Sequence, residues 1–278
     1  MNTTEAQTAT SLSISCVIYD TDVKTLSTTI ESLYTALEYA NQQKVLSSHT
    51  LYLINNNADT TPEFRQISQL AVSLIKTTKI ITGHGNIGYG KANNLAIHQT
   101  ENEFHLILNP DVQLHPTALY EGISYLITHP DTELVAPDAF NIEGNREYLA
   151  KRLPSPLIIF LRGLNKKYLN KVFQKQLNNY AYKDTLPTQK AFAIELASGC
   201  FMLCRTAALK NVRGFSPEFF LYFEDFDLSR KLQQKILLPS MKIIHLGGNT
   251  AGKGLIHIKF FLKSYWVFLK LEQKRKLQ

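Results

Sequence analysis

Short apolar runs alternate along this chain with longer stretches whose apolar residues recur every three or four positions. Residues 14–19 form the first apolar run, which stops at Asp20. Leu26, Ile30, Leu33 and Leu37 then keep helical spacing. Residues 51–54 read as a second strand, closed by Asn55, Asn56, Asn57 and Asp59. The pattern goes on to predict a helix over 62–70, a strand over 79–81, and a glycine-dense loop from Gly83 into a helix ending near His98. A strand over 104–108, a helix over 116–127 and a strand at 134–135 follow. Strands and helices alternating at this rhythm predict βαβ units. The expected fold class is α/β, with a mostly parallel central sheet flanked by helices.

Residues 140–193 break the rhythm. Pro154, Pro156 and the basic pairs Lys151-Arg152 and Lys166-Lys167 suggest an insertion beside a cleft, with helical parts. Within it, 165–182 is rich in Lys, Asn and Tyr and reads either as a solvated surface or as an acceptor-recognition segment. Order returns as a strand over 194–204, with Thr206 expected to cap a short helix running to Gly214. Glu224 and Asp225 open a helix carrying Leu228 and Leu232, and a strand over 242–245 ends at Gly247-Gly248. From Leu255 one last helix is expected, amphipathic in character. At 100° per residue Lys259, Lys263, Lys270 and Lys274 share an arc of about 60°, while Phe260, Phe261, Leu262, Trp266, Phe268 and Leu269 cover much of the rest. Three readings stay open for this helix: packing on the body, packing in a homo-oligomer, and lying on an anionic membrane surface.

Composition narrows the picture only a little. The 278 residues suit one large domain, and 44% hydrophobic with 19% charged is globular. A net charge of +7 favours an anionic partner. No zinc-finger or RNA-binding aromatic signature is present, which argues against nucleic acid. Cys16, Cys200 and Cys204 form neither a disulfide framework nor a zinc pattern and read as buried thiols of a reducing compartment. Residues 1–13 are polar and Thr-rich, a flexible lead-in rather than a signal peptide.

Four stretches carry candidate chemistry. The strand ending at Leu108 runs into Asn109-Pro110-Asp111 and delivers one carboxylate at the carboxyl end of a buried strand, where ligands of parallel sheets bind. Asp111 there is a metal ligand, a general base or a turn former. The loop from Gly83 to Asn94 satisfies a dinucleotide fingerprint (Gly83, Gly85, Gly88) and nearly a P-loop (Gly85, Gly90, Lys91). Ala92, however, stands where a P-loop needs a hydroxyl for Mg²⁺, and two strands precede the loop. The weaker inference is that its glycines let backbone line a nucleotide site. Glu218, Glu224, Asp225 and Asp227 sit among Phe219, Phe220, Tyr222, Phe223 and Phe226. Acids in a helix's first turn complement its dipole, but partly desolvated ones also serve as general bases. His245, at a strand end, is a metal or diphosphate ligand or a structural histidine.

Taken in order, these blocks resemble the family-2 glycosyltransferases of GT-A fold, most closely their bacterial rhamnosyltransferase-like branch. The resemblance runs from about Ile14 to Gly248. It implies a domain over 14–250, with 14–112 the nucleotide-binding half, 113–250 the acceptor and catalytic half, and 251–278 an appended basic aromatic helix. It further implies an inverting, metal-dependent transfer from a nucleotide-diphosphate sugar (dTDP- or UDP-linked, with rhamnose or a similar hexose expected) to a glycan hydroxyl. The setting implied is bacterial surface polysaccharide synthesis, with a lipid-linked acceptor at the inner face of the cytoplasmic membrane. Asp111 matches the second acid of the family's DxD-type motif, which coordinates Mg²⁺ or Mn²⁺, and His245 a histidine completing that site. Asp225 matches the catalytic base, with Glu224 the second choice. Tyr19, Asp20, Asn55, Asn86, Gly88, Lys91, Asn93, Asn109 and Asp111 are the implied donor contacts. Asn55 departs from the family's usual pyrimidine-reading Asp, and Asp20 stands where Asn is common. The competing readings are a non-catalytic glycan-binding or scaffold member of the same fold, and a P-loop kinase.

Overall fold

The structure, a computed structural model, describes residues 10–20, 22–164, 171–186, 188–247 and 255–277. Its first half is built as the periodicity demands. β1 (Ser11–Ile18) runs parallel to β2 (Ser48–Asn55) on one side and β4 (Phe104–Leu108) on the other, and β3 (Lys79–Ile81) extends β2 in parallel. The crossovers are α1 (Val23–Gln42), α2 (Pro62–Leu74) and α3 (Tyr89–Gln99). Asp22 caps α1 by accepting the N–H groups of Lys24 and Thr25, and Thr61 caps α2 ahead of Pro62, whose missing N–H costs nothing in a first turn.

The second half is mixed rather than parallel. After Asp111 the chain turns at once into β5 (Val112–Leu114), then α4 (Ala118–Thr128), β6 (Leu134–Phe140) and the two-residue β7 (Arg146–Glu147). α5 (Pro156–Leu164) and α6 (Gln174–Tyr180) lead to β8 (Phe192–Ala193) and β9 (Phe201–Arg205). α7 (Thr206–Asn211), α8 (Glu224–Lys231), β10 (Lys235–His245) and α9 (Leu255–Leu277) complete the order. The sheet runs β3-β2-β1-β4-β9-β6-β10-β5. β9 lies antiparallel between β4 and β6, and β10 is parallel to β6 but antiparallel to β5.

Strand alternation sorts the core into layers. Leu12, Ile14, Cys16 and Ile18 of β1, with Phe104, Leu106 and Leu108 of β4, pack under α1, α2 and α4. The opposite face of β1 presents Ser13, Ser15 and Val17 to α3. There Ser15 donates to Asn93 Oδ1 at 2.6 Å and lies 3.0 Å from His105 Nε2, while Ser13 lies 2.7 Å from Nδ1. Since Ser15 spends its proton on Asn93, His105 is the Nε2–H tautomer. Burial lowers its pKa to about 3, so it stays neutral.

Several expectations need correction. The expected strand over 194–204 shrinks to β9, which starts only at Phe201; residues 194–200 are irregular apart from a single bridge between Leu196 and Lys151. Thr206 is not a cap: Arg205 holds the cap position, and the Thr206 hydroxyl is buried without a hydrogen bond among the described residues. The 140–193 stretch contributes β7 and β8 to the sheet. Of its Lys/Asn/Tyr-rich part, Tyr180 and Tyr182 are buried, while 165–170 lies outside the described residues, as do most of the lead-in (1–9) and Gly248. Among the described residues no helix is long and apolar enough to cross a membrane.

α9 packs on the body. Phe268 is buried against Phe223 and Phe226, and Phe261 and Tyr265 lie on Phe223 as well. Its inward side is not simply its apolar side, for Ser264 and Glu272 are buried there too.

Candidate active site

The carboxyl ends of β1, β2 and β4 converge with the loops that follow them, as parallel topology requires. Asp111 is fixed by its neighbours' backbone. The Pro110 carbonyl accepts the Thr29 hydroxyl at 2.8 Å, the Asp111 carbonyl accepts the Leu246 N–H at 2.8 Å, and the Asn109 N–H donates to the Cys200 carbonyl at 2.8 Å. The end of β10 brings in His245, whose Nε2 lies 3.5 Å from Asp111 Oδ2. His245 Nδ1 lies 2.8 Å from Glu147 Oε2. Hydrogen bonding to Asp111, opposed by burial and reinforced by the charges of Asp111 and Glu147, pushes the imidazole up to about 9.

Asp225 arrives from the other side. Its Oδ2 accepts the Gly199 N–H at 2.9 Å and its Oδ1 the Phe226 N–H at 2.8 Å. Tyr89 donates its hydroxyl to the Gly199 carbonyl at 2.7 Å. Asn109 and Asp225 are therefore tied to adjacent residues, Cys200 and Gly199. The Cys200 thiol records the convergence: burial first, then the charges of Asp111, Asp225 and Glu147, push it up to about 12.

The turn delivering Asp225 is strained. Tyr222 (φ 72°) and Phe223 (φ 66°) are consecutive non-glycine residues in the left-handed region, where a side chain costs on the order of 1 kcal/mol or more each. Glu224 follows, 5% exposed, with Oε2 lacking a hydrogen-bond partner among the described residues. Burial and the neighbouring Asp225 charge raise it to about 8, so Glu224 carries a proton at neutral pH.

The donor-side residues divide. Tyr19 (55% exposed) and Asp20 (φ 47°) lie in the open after β1, and Lys91 is exposed in the first turn of α3. Asn55 is buried, its Oδ1 accepting from Asn57 and its Nδ2 donating to the Asp59 carbonyl, so its amide shapes the loop after β2. Asn93 supports α3 from behind, fully buried against Ser15, and does not reach the cleft. Asn86 folds the glycine loop, its Oδ1 accepting from Gly88 N–H and Asn56 Nδ2.

That loop also corrects the reading of two of its glycines, Gly88 and Gly90. A Cβ on Gly88 would lie 2.5 Å from the Phe220 carbonyl oxygen, and one on Gly90 2.8 Å from Phe215 Cβ. These glycines let the 214–223 segment approach, rather than a ligand. The N–H groups of Ile87, Gly88 and Tyr89 are taken by Asn56, Asn86 and the Phe220 carbonyl. Those three amides are spent inside the protein, which together with Ala92 in the hydroxyl position counts against the P-loop reading. Asn94 completes the link, bonding Phe215 through both its amide oxygen and nitrogen.

Sequence reasoning missed Asn56, Tyr89 and Glu147. The first two stood inside stretches already singled out. Glu147 gave no signal, because only the pairing of β7 with β6 carries it to His245.

A half-parallel sheet with its loops gathered over one carboxylate, and a second carboxylate brought in from the mixed half, defines a sugar-nucleotide transferase of the GT-A type. The model of Glycosyl transferase family 2 matches residues 19–213, and the chain belongs to that family; it is a glycosyltransferase. The match ends before Asp225 and His245. The chain is 24% identical over 256 residues to an N-acetylglucosaminyl-diphospho-decaprenol L-rhamnosyltransferase of Mycobacterium tuberculosis, covering 86% of this chain and 79% of that protein. It is 27% identical over 161 residues to Rhamnosyltransferase WbbL of Escherichia coli, covering 53% and 55%. Two solved structures share the fold. GalNAc-T7 with UDP, GalNAc and Mn²⁺ has a TM-score of 0.64 at 12% identity, over 88% of this chain and 45% of that one. S. aureus TarS 1–349 has a TM-score of 0.55 at 15% identity, over 85% and 60%. The chain thus spans less than two thirds of either structure.

Proposed function

We propose that the protein is an inverting, metal-dependent rhamnosyltransferase. It would move rhamnose or a similar hexose from a dTDP- or UDP-sugar to a hydroxyl of a lipid-linked glycan in bacterial surface polysaccharide synthesis, at the cytoplasmic face of the membrane. The observation carrying this reading is the attachment of Asp225 and the Asp111 turn to neighbouring residues, Gly199 and Cys200. One acid serves the departing diphosphate and the other the incoming hydroxyl.

The donor set fits a hard divalent cation. Asp111 and His245 offer a carboxylate oxygen and an imidazole nitrogen 3.5 Å apart, and Mg²⁺ or Mn²⁺ ordinarily takes few protein ligands besides phosphate oxygens and water. Bound there, it would neutralise charge developing on the diphosphate. Glu147 would orient His245 from its second nitrogen, as carboxylates behind ligating histidines do. Asp225, held by two backbone N–H groups, would take the proton of the acceptor hydroxyl as that oxygen attacks C1 from the face opposite the diphosphate. Glu224 keeps its proton, so a second negative charge does not oppose the first. Tyr19, Asp20 and Lys91, all exposed, would meet the nucleotide.

The test is thermal stability against a panel of nucleotide-diphosphate sugars with and without Mn²⁺, followed by turnover and the anomeric configuration of the product. A metal-dependent rise with one donor, lost in Asp111→Ala, and an inverted product are expected. Donor-independent glycan binding without turnover would leave the scaffold reading standing instead.

A further inference from the structure

α9 carries two unlike faces. Inward it presents Ser264, Phe268, Glu272 and Arg275: Ser264 donates to the Leu221 carbonyl at 2.7 Å, and Glu272 is held by Arg230 and Arg275. Outward, Lys259, Leu262, Lys263, Trp266, Lys270 and Lys274 are all exposed and fall within an arc of about 120°. Leu262 is 51% and Trp266 64% exposed. Helix geometry therefore groups the tryptophan with the lysines, and not with the half-buried Phe261 and the buried Phe268.

Neither half of this face makes sense in water alone. A merely solvated face gains nothing from an open tryptophan and leucine, and an apolar protein contact would strand the lysines, so the occupant must offer anionic groups beside an apolar boundary. Glu272, the only acid of the helix, points inward, and Glu218 adjoins Lys270 and Lys274 in a shallow cleft. Four lysines against that one carboxylate leave an excess of three positive charges. In a symmetric dimer through this face, lysines would meet lysines.

We propose that the outer face of α9 docks on an anionic bilayer surface, with the lysines on the headgroups and Trp266 and Leu262 at the boundary with the acyl chains. The inner face meanwhile grips the strained turn ahead of Glu224 and Asp225, through Ser264 on Leu221 and Phe261 on Phe223. One helix, about 10–12 Å across, then separates the lipid surface from the turn that presents the base. The usefulness of that arrangement rests on the lipid-linked acceptor proposed above; the docking itself does not.

Trp266 is the only tryptophan of the chain and reports on the proposed contact directly. The full-length protein is titrated with vesicles of phosphatidylcholine alone and of phosphatidylcholine with phosphatidylglycerol, without donor or acceptor. Expected is a blue shift and gain of Trp266 emission with the acidic vesicles only. Affinity should be on the order of a hundredfold above that for neutral ones, and should weaken at high salt. Lys259→Glu/Lys263→Glu/Lys270→Glu should abolish the shift while keeping the donor-induced rise in melting temperature, which shows that the variant is folded. Unchanged emission with acidic vesicles, or full binding by the triple variant, overturns the proposal. So does a concentration-dependent dimer abolished by Trp266→Ser, which would assign the face to a second copy. Vesicle binding without any sugar transfer would support the docking and count against the transferase reading alone.

Discussion

The two acids at the heart of this site are held in opposite ways. Asp111 sits in a turn whose backbone is bonded by α1 and by residues flanking two strands: Thr29 on Pro110, Leu246 on Asp111, Cys200 against Asn109. None of its neighbours is strained. Asp225 sits after two left-handed aromatic residues, held down by a helix that starts some thirty positions further along the chain. Beneath it Asp227 is fully buried and bonded to Ser216 and Arg275, each at 2.6 Å, with Lys231 at 3.6 Å. The proposed metal ligand, set by a strand end, is built by local topology. The proposed base, set on a strained turn, is built by remote packing, and is accordingly the part most open to modulation.

The largest expected effect removes the proposed base, together with one of the two backbone N–H bonds its carboxylate accepts. Asp225→Asn should lower the rate of transfer by about 10²–10⁴-fold with donor binding kept, measured by turnover beside calorimetric donor affinity. Equal activity would move the base to Glu224. Next come substitutions that break the brace. Phe268→Ala should destabilise the protein by about 3–5 kcal/mol in denaturant unfolding, and Arg275→Leu by about 1–3 kcal/mol because it leaves the buried Asp227 only Ser216 and Lys231. Both should lower turnover more than metal-dependent donor binding, since the Asp111 side does not lean on α9. Equal losses in the two would erase the distinction.

A smaller effect follows from Glu224. In the folded chain it holds its proton up to about pH 8, but when unfolded only to its ordinary value near 4.5. The folded state therefore binds more protons across that window, and Glu224 makes stability fall as pH rises through it. Glu224→Gln should remove the decline, so its melting temperature should gain on the parent from pH 5 to pH 9 and then level off. A constant offset would show that the carboxyl is not desolvated. Smallest is Thr29→Val, which removes one hydroxyl from the Pro110 carbonyl and should cost about 1 kcal/mol with little change in turnover.

Residue periodicity was enough to place β1, β2, β3 and β4 with α1, α2 and α3, because in parallel βαβ units each element buries a face of its own. For the same reason Asp111 could be picked out: a buried strand that stops at a polar turn can deliver a side chain only to the carboxyl edge. Glu224 and Asp225 were legible as the opening of an aromatic-flanked helix, and His245 as the end of a strand. The partners of these groups were not. Glu147 reaches His245 only through the pairing of β7 with β6. Asn93 and Asn55 look like ligand residues in sequence but are spent on Ser15 and on their own loop. Gly88 and Gly90, read as letting backbone line a nucleotide site, make room for Phe220 and Phe215. Sequence by itself determined where the chemistry-bearing side chains leave their elements, since strand and helix periods are local properties. Which atoms those side chains and backbone amides then face was decided by tertiary structure alone, because hydrogen bonds and close approaches join segments that nothing local relates.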